Sequence, residues 1–251
     1  MKWHEICVRT GASSVSLNCM EAARDEPAAE GEEDVMIEVY ALNLTDRLEK
    51  PVEKFLHFFP LERQEKILFY RFTADRNRTL WAELLVRYVL AKKESCPLEE
   101  ISVWRDGRGK PHAESSSWEI SLSHSRHWAV CSVGEMPSGV DVEEAAEDAL
   151  AIARHFFTER EYRLIQALDE KSRAREFLRI WTIKESYAKY TGQGMDEAIA
   201  KRESAELLAG SGPIAGRNFV VDGAVIGLCG KREILPGEVC VVPSSFFVRF
   251  E

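Results

Sequence analysis

Asp141 and Glu143 stand two residues apart in the run Gly139-Val140-Asp141-Val142-Glu143. The segment reads as a strand, and residues two apart in a strand leave the same face, so this spacing sets two carboxylates side by side. A charge in an otherwise apolar strand needs a partner. Further along, Trp181-Thr182-Ile183-Lys184-Glu185-Ser186-Tyr187-Ala188-Lys189 reads as a helix, with Glu185 and Lys189 four apart in the favoured order. Carboxylates grouped with lysines suit a divalent cation and a phosphate. Magnesium is held by a few carboxylates and completed by phosphate oxygens and water, which is the chemistry of phosphoryl-group transfer. Each piece alone also has a plainer reading. Asp141 and Glu143 could be acidic residues at a strand end, among the neighbouring Glu144, Glu147 and Asp148, and Glu185–Lys189 could be a solvated helix pair.

The elements that must hold these groups alternate between helix and short strand. Residues 60–70 are helical in character. Asp75 or Asn77 could cap a long helix whose Trp81, Leu84, Leu85, Tyr88 and Val89 recur at helical spacing. Strands are expected at 101–104, 118–123 and 128–133, then a turn-rich stretch at 134–138. The second half opens with the strand 139–143. Thr158-Glu159-Arg160-Glu161 has the form of a capping box. Ser172 is the expected cap of the helix carrying Glu185, and that helix should end near Gly192. Segments 219–221, 224–228, 239–242 and 246–250 are strand-like, and no sequence repeat is visible. Residues 21–34 are acidic and poor in large apolar groups, so residues 1–34 read as a poorly structured extension.

Composition removes several function classes. The net charge of −9 argues against general nucleic-acid binding, which needs clustered Lys and Arg. Six scattered cysteines show neither C-x-x-C nor zinc spacing, which favours reduced thiols and a cytoplasmic location. No apolar run reaches the roughly 18 residues of a membrane span, and no membrane association is expected. Charges and Gly/Ser break the first twenty residues, unlike a signal peptide.

The segments GVDVEE (139–144) and WTIKESYAKYTGQG (181–194) resemble the paired signature of 4′-phosphopantetheinyl transferases. The resemblance extends to Gly107-Arg108-Gly109-Lys110-Pro111-His112, to Ser121-Leu122-Ser123-His124-Ser125 and to Asn77-Arg78-Thr79-Leu80, in the family's order and over roughly residues 36–250. The length is similar to that of the surfactin-synthetase-activating (Sfp) type. It implies an α+β fold of two similar subdomains, each an antiparallel sheet packed with helices, with the active site in the cleft between them, a pseudo-dimer. The boundaries would be 1–34 for the extension, 35–136 for a subdomain contacting coenzyme A, and 137–251 for a subdomain carrying the metal and catalytic residues.

The resemblance also implies roles. Asp141, Glu143 and Glu185 would hold Mg2+, with Mn2+ as the alternative ion. Glu185 would assist deprotonation of the acceptor serine, and Lys189 would contact phosphate and help the leaving group. Arg63 and Lys66 would bind the 3′-phosphate of coenzyme A, a dianion suited to arginine. Thr79, Lys110, Pro111, Ser123 and His124 would contact the nucleotide and its phosphates, and Lys184 would support the site. Glu161 stays open between a helix cap and a water-mediated metal contact. Ser123-His124-Ser125 is not a hydrolase triad, since adjacent residues cannot supply nucleophile and base, and G-x-S-x-G is absent. The implied reaction moves phosphopantetheine from coenzyme A to a serine of an apo acyl or peptidyl carrier protein and releases 3′,5′-ADP, with the enzyme a monomer. The alternatives are another magnesium-dependent nucleotide phosphotransferase or a non-catalytic carrier-protein-binding relative.

Overall fold

The computed structural model describes residues 37–145 and 148–243 and the backbone of residues 6–9. The strand expected at 246–250 lies outside the described residues.

Two helices of equal length organise the molecule. In the first half, strand β1 (Ile6–Arg9) and strand β2 (Glu38–Asn43) are followed by helices α1 (Leu61–Phe69) and α2 (Thr73–Glu94). Then come β3 (Val103–Arg105), β4 (Pro111–Ala113), β5 (Glu119–His124) and β6 (Trp128–Gly134). The second half holds β7 (Ser138–Glu143), α3 (Ala149–Phe156), α4 (Glu159–Gln166) and α5 (Glu170–Thr191). It continues with α6 (Glu197–Ala200), α7 (Ser204–Ala209), β8 (Ile214–Val221), β9 (Ala224–Lys231) and β10 (Glu238–Val242). Helices α2 and α5 each run 22 residues.

The sheets are ordered β1-β10-β2-β6-β5 and β7-β9-β8, with a separate β3-β4 hairpin. Every pairing is antiparallel except β10 with β2. The first sheet is therefore mixed, and one of its strands comes from the end of the chain. Strand β10 returns to lie between β1 and β2, so β1, inside the segment read as an extension, joins the sheet at its outer edge. Asp222 and Gly223, both at positive φ, form the two-residue turn of the β8–β9 hairpin.

Alternation along β2 shows how the layers stack. Tyr40 and Leu42 face a core built on α2, with Trp81, Leu84 and Leu85. Val39 and Ala41 face a second core shared with Val140, Val142, Phe219, Ile226 and Leu228 of the other sheet. The order is α2, first sheet, second sheet, α5. Both sheets are covered on both faces, which explains why β6 and β9 read as nearly continuous apolar runs.

Three local expectations meet the structure differently. The box at Thr158 and Glu161 forms, each side chain bonding the other's backbone N–H. Asn77 caps nothing. It is buried inside α2, and its amide donates to the carbonyls of Leu48, Lys50 and Thr73, tying the preceding loop to the helix. Helix α5 starts earlier than Ser172. Asp169 is its cap, accepting from the Ser172 N–H, because a carboxylate was available one turn before the hydroxyl. Among the described residues no helix is long and apolar enough to cross a membrane.

Candidate active site

Two glycines set the position of the site. A Cβ on Gly139 would lie 1.9 Å from the Ser186 carbonyl oxygen, and one on Gly227 would lie 2.4 Å from that of Thr182. Only glycine lets α5 settle this closely on β7 and β9. The last turns of α5 are thereby laid against the acidic strand. Lys189 Nζ donates to Asp141 Oδ1 at 2.8 Å and to the Val140 carbonyl at 3.1 Å.

The other wall is β5, the edge strand of the first sheet, which meets β7, the edge strand of the second. Alternate serines join the two edges. Ser121 Oγ accepts the Val140 N–H at 3.1 Å, Ser123 Oγ donates to Asp141 Oδ1 at 2.8 Å, and Ser125 Oγ donates to Glu143 Oε2 at 3.1 Å. The period-two spacing of the serines matches that of Asp141 and Glu143.

The carboxylates strain one another electrostatically. Burial, then the charge of Asp141, pushes Glu143 up to about 7, with Glu185 adding and Ser125 and Lys189 opposing. Burial and Asp141 also raise Glu185, against the pull of Lys189. Asp141 is 4% exposed, and its Oδ2 is buried without a hydrogen-bond partner. Oxygen donors that destabilise each other's charge, with one buried oxygen unpaired, are chemistry that a hard divalent cation relieves. Among the described residues, no three acidic, histidine or cysteine side chains already converge as a ready ligand set, and Lys189 occupies Asp141 Oδ1.

A cleft of about 610 Å3 opens beside this cluster. It brings together Arg63 and Lys66 from α1, Thr79 from α2, Ser123 and His124 from β5, and Lys189 from α5. Thr79 Oγ1 and Arg63 Nε are buried with no partner. The walls around His124 desolvate it, and with the charges of Lys189 and Arg78 they lower its pKa. Lys110 and Pro111 are not in the cleft lining. The Lys110 ammonium lies 3.8 Å from Glu119, and Pro111 is buried at the start of β4. Their neighbours Asp106, Gly107 and Gly109 line the cleft instead. Sequence reading also passed over Tyr70, Glu83 and Arg105. Glu83 could have been found as the residue four after Thr79 on one face of α2, whereas Arg105 carried no local signal.

Lys184 and Glu161 are placed away from this group. Lys184 is 1% exposed, and its ammonium pairs with Glu161 at 2.9 Å while donating to the carbonyls of Ala200 and Arg202. Glu161 also accepts from the N–H groups of Thr158 and Ser204, at 3.0 and 2.8 Å. Both side chains are fully engaged in holding α4, α5 and the α6–α7 connection together. Neither shares a hydrogen bond with Asp141, Glu143, Glu185 or Lys189 among the described residues.

The 4′-phosphopantetheinyl transferase superfamily model matches residues 137–214, and the model for the N-terminal part of these transferases matches residues 48–135. The chain is 34% identical over 161 residues to the 4′-phosphopantetheinyl transferase gsp of Aneurinibacillus migulanus, covering 64% of this chain and 68% of that one. The chain belongs to the 4′-phosphopantetheinyl transferase superfamily. It is also similar to the transferase psf-1 of Bacillus pumilus, at 32% identity over 60% of this chain and 65% of that one. The match to Sfp of Bacillus subtilis, at 27%, covers 76% of this chain and 90% of Sfp. The two matched segments together span both walls of the cleft, and the serine-joined edges of β5 and β7 lie on either side of the junction between them.

Proposed function

We propose that the protein transfers 4′-phosphopantetheine from coenzyme A to a serine of an apo acyl or peptidyl carrier protein, with magnesium, releasing 3′,5′-ADP. The observation that carries this reading is the junction of a basic cleft with the Asp141–Glu143–Glu185–Lys189 cluster through Ser123, His124 and Lys189. The relatives named as 4′-phosphopantetheinyl transferases support it.

Arg63, Lys66 and Thr79 bind the phosphorylated nucleotide, and the vacant Arg63 Nε and Thr79 Oγ1 offer hydrogen bonds to it. His124 contacts a phosphate, and Lys110 and Pro111 contribute through the preceding turn, whose Gly107 and Gly109 line the cleft. Asp141 and Ser123 orient Lys189. The carrier serine hydroxyl attacks the phosphorus bearing pantetheine, the P–O bond to 3′,5′-ADP breaks, and Glu185, its basicity raised by burial, takes the serine proton. Lys189 stabilises charge on the departing phosphate. Asp141, Glu143 and Glu185 would hold a magnesium ion, which supplies neutralisation of the pyrophosphate. Positioning and electrostatics carry the catalysis, as in phosphoryl transfer generally. In this reading residues 35–136 chiefly bind the nucleotide and residues 137–251 supply the acidic cluster. The protein works as a cytoplasmic monomer without nucleic acid or membrane.

The test mixes the protein, coenzyme A, magnesium and an apo carrier protein, and weighs the carrier. One phosphopantetheine gained on the carrier serine is expected. No adduct across several acyl and peptidyl carriers overturns the reading.

A further inference from the structure

Glu83 is a carboxylate in the wall of a cleft to which the proposed function assigns a polyanion. Its side chain is 6% exposed, and one oxygen, Oε1, accepts from two arginines. Arg63 reaches it from α1, and Arg105 reaches it from β3 at 2.7 Å. The second guanidinium nitrogen of Arg105 donates to the Gly109 carbonyl at 2.6 Å, in the turn that also lines the cleft. Thr79 lies one helical turn before Glu83 on the same face of α2. Its hydroxyl and Arg63 Nε are the buried polar atoms left without partners at this wall.

An isolated acid here would repel a phosphate. Two guanidinium groups without it would repel each other and lose order on their long stems. Shared between them, the carboxylate leaves a net positive cluster whose forks are already oriented before any ligand arrives, and preorganisation of this kind raises affinity by lowering the cost of ordering. We propose that Glu83 is a positioning residue. It holds Arg63 and Arg105 as a preformed grip for the phosphate on the ribose of coenzyme A, and so sets the preference for the 3′-phosphorylated nucleotide. The inference rests on the proposed function. Removing a negative charge from this anion site weakens anion binding.

Calorimetry on the full chain with coenzyme A and with 3′-dephospho-coenzyme A tests it. Glu83→Gln is expected to lower coenzyme A affinity about tenfold or more and to change the dephospho ligand less than about twofold. Glu83→Asp, which keeps the charge, is expected to recover part of the loss. Unchanged or tighter coenzyme A binding by Glu83→Gln overturns the inference, and so does an equal loss for both ligands, the mark of a merely structural residue. Should Glu83→Gln fail to fold, Arg105→Gln carries the same test, with the loss again confined to coenzyme A and an equal loss for both ligands again decisive against it. Wild-type protein that binds neither ligand removes the proposed function and this inference together, whereas wild-type selectivity retained in the variants removes the inference alone.

Discussion

Lys189 holds its ammonium 2.8 Å from Asp141 Oδ1, joining the end of α5 to the middle of β7. Each is the other's closest charged partner, so neither can be altered without disturbing both. Asp141→Asn and Lys189→Met are each expected to lower turnover by about 10²-fold or more, the scale of losing one preorganised electrostatic contact. The double variant should fall well short of the product of the two losses, because paired residues are not additive. Single and double variants assayed on one carrier protein check this, and normal turnover in either single variant contradicts it.

Glu143 gives a pH signature in stability. Its folded pKa, about 7, lies above the ordinary 4.5, so the folded chain favours the protonated acid. The contribution is fully present below pH 4.5, declines as pH rises towards 7, and is lost above it. Glu143→Gln in metal-free protein should therefore raise stability at pH 8 by about 1–2 kcal/mol after allowance for solvent screening, and change little at pH 4.5. Magnesium should narrow the gap at pH 8. Thermal melts at both pH values, with EDTA and with magnesium, provide the comparison, and destabilisation at pH 8 without metal would be the wrong sign.

Glu185→Gln separates catalysis from binding. It keeps size and one acceptor but removes charge and basicity. A strong fall in kcat with a smaller change in coenzyme A affinity is expected, because the proton transfer belongs to the transition state. An unchanged kcat reduces Glu185 to half of a helix pair worth a few tenths of a kcal/mol.

Gly139→Ala tests the helix seat. The new methyl would meet the Ser186 carbonyl at 1.9 Å, against backbone that cannot swing aside. Destabilisation of about 3 kcal/mol or more is expected from this overpacking, with loss of activity as Lys189 is lifted from Asp141. Gly212→Ala, whose methyl would make ordinary contact at 3.9 Å, is the control and should unfold like wild type. Denaturant melts distinguish the two.

Lys184→Met should leave Glu161 as a buried unpaired charge and cost about 3–5 kcal/mol. Replacing Glu161 by Gln in the same chain should recover part of that. Coenzyme A affinity of the folded variant should stay within about twofold of wild type. A variant of normal stability that has lost coenzyme A binding would return Lys184 to the cleft.

The sequence by itself determined what local chemistry can determine. The Thr158–Glu161 box was legible because both partners lie within one turn. The common face of Asp141 and Glu143 followed from the period of a strand, and the end of α5 at Gly192 from the left-handed conformation that glycine accepts. The order of the motifs was enough to imply the superfamily and its α+β halves. Tertiary structure decided everything that depends on partners distant along the chain. Asn77 became a buried bracket because the loop at Leu48 and Lys50 folded over it. Glu161 and Lys184 took each other because their helices pack, and Glu83 met two arginines from separate elements. Strand β10 entered the first sheet between β1 and β2, strands some two hundred residues away along the chain. Periodicity and capping are encoded residue by residue, whereas the pairing of a buried charge is settled only when packing excludes water and leaves a single partner within reach.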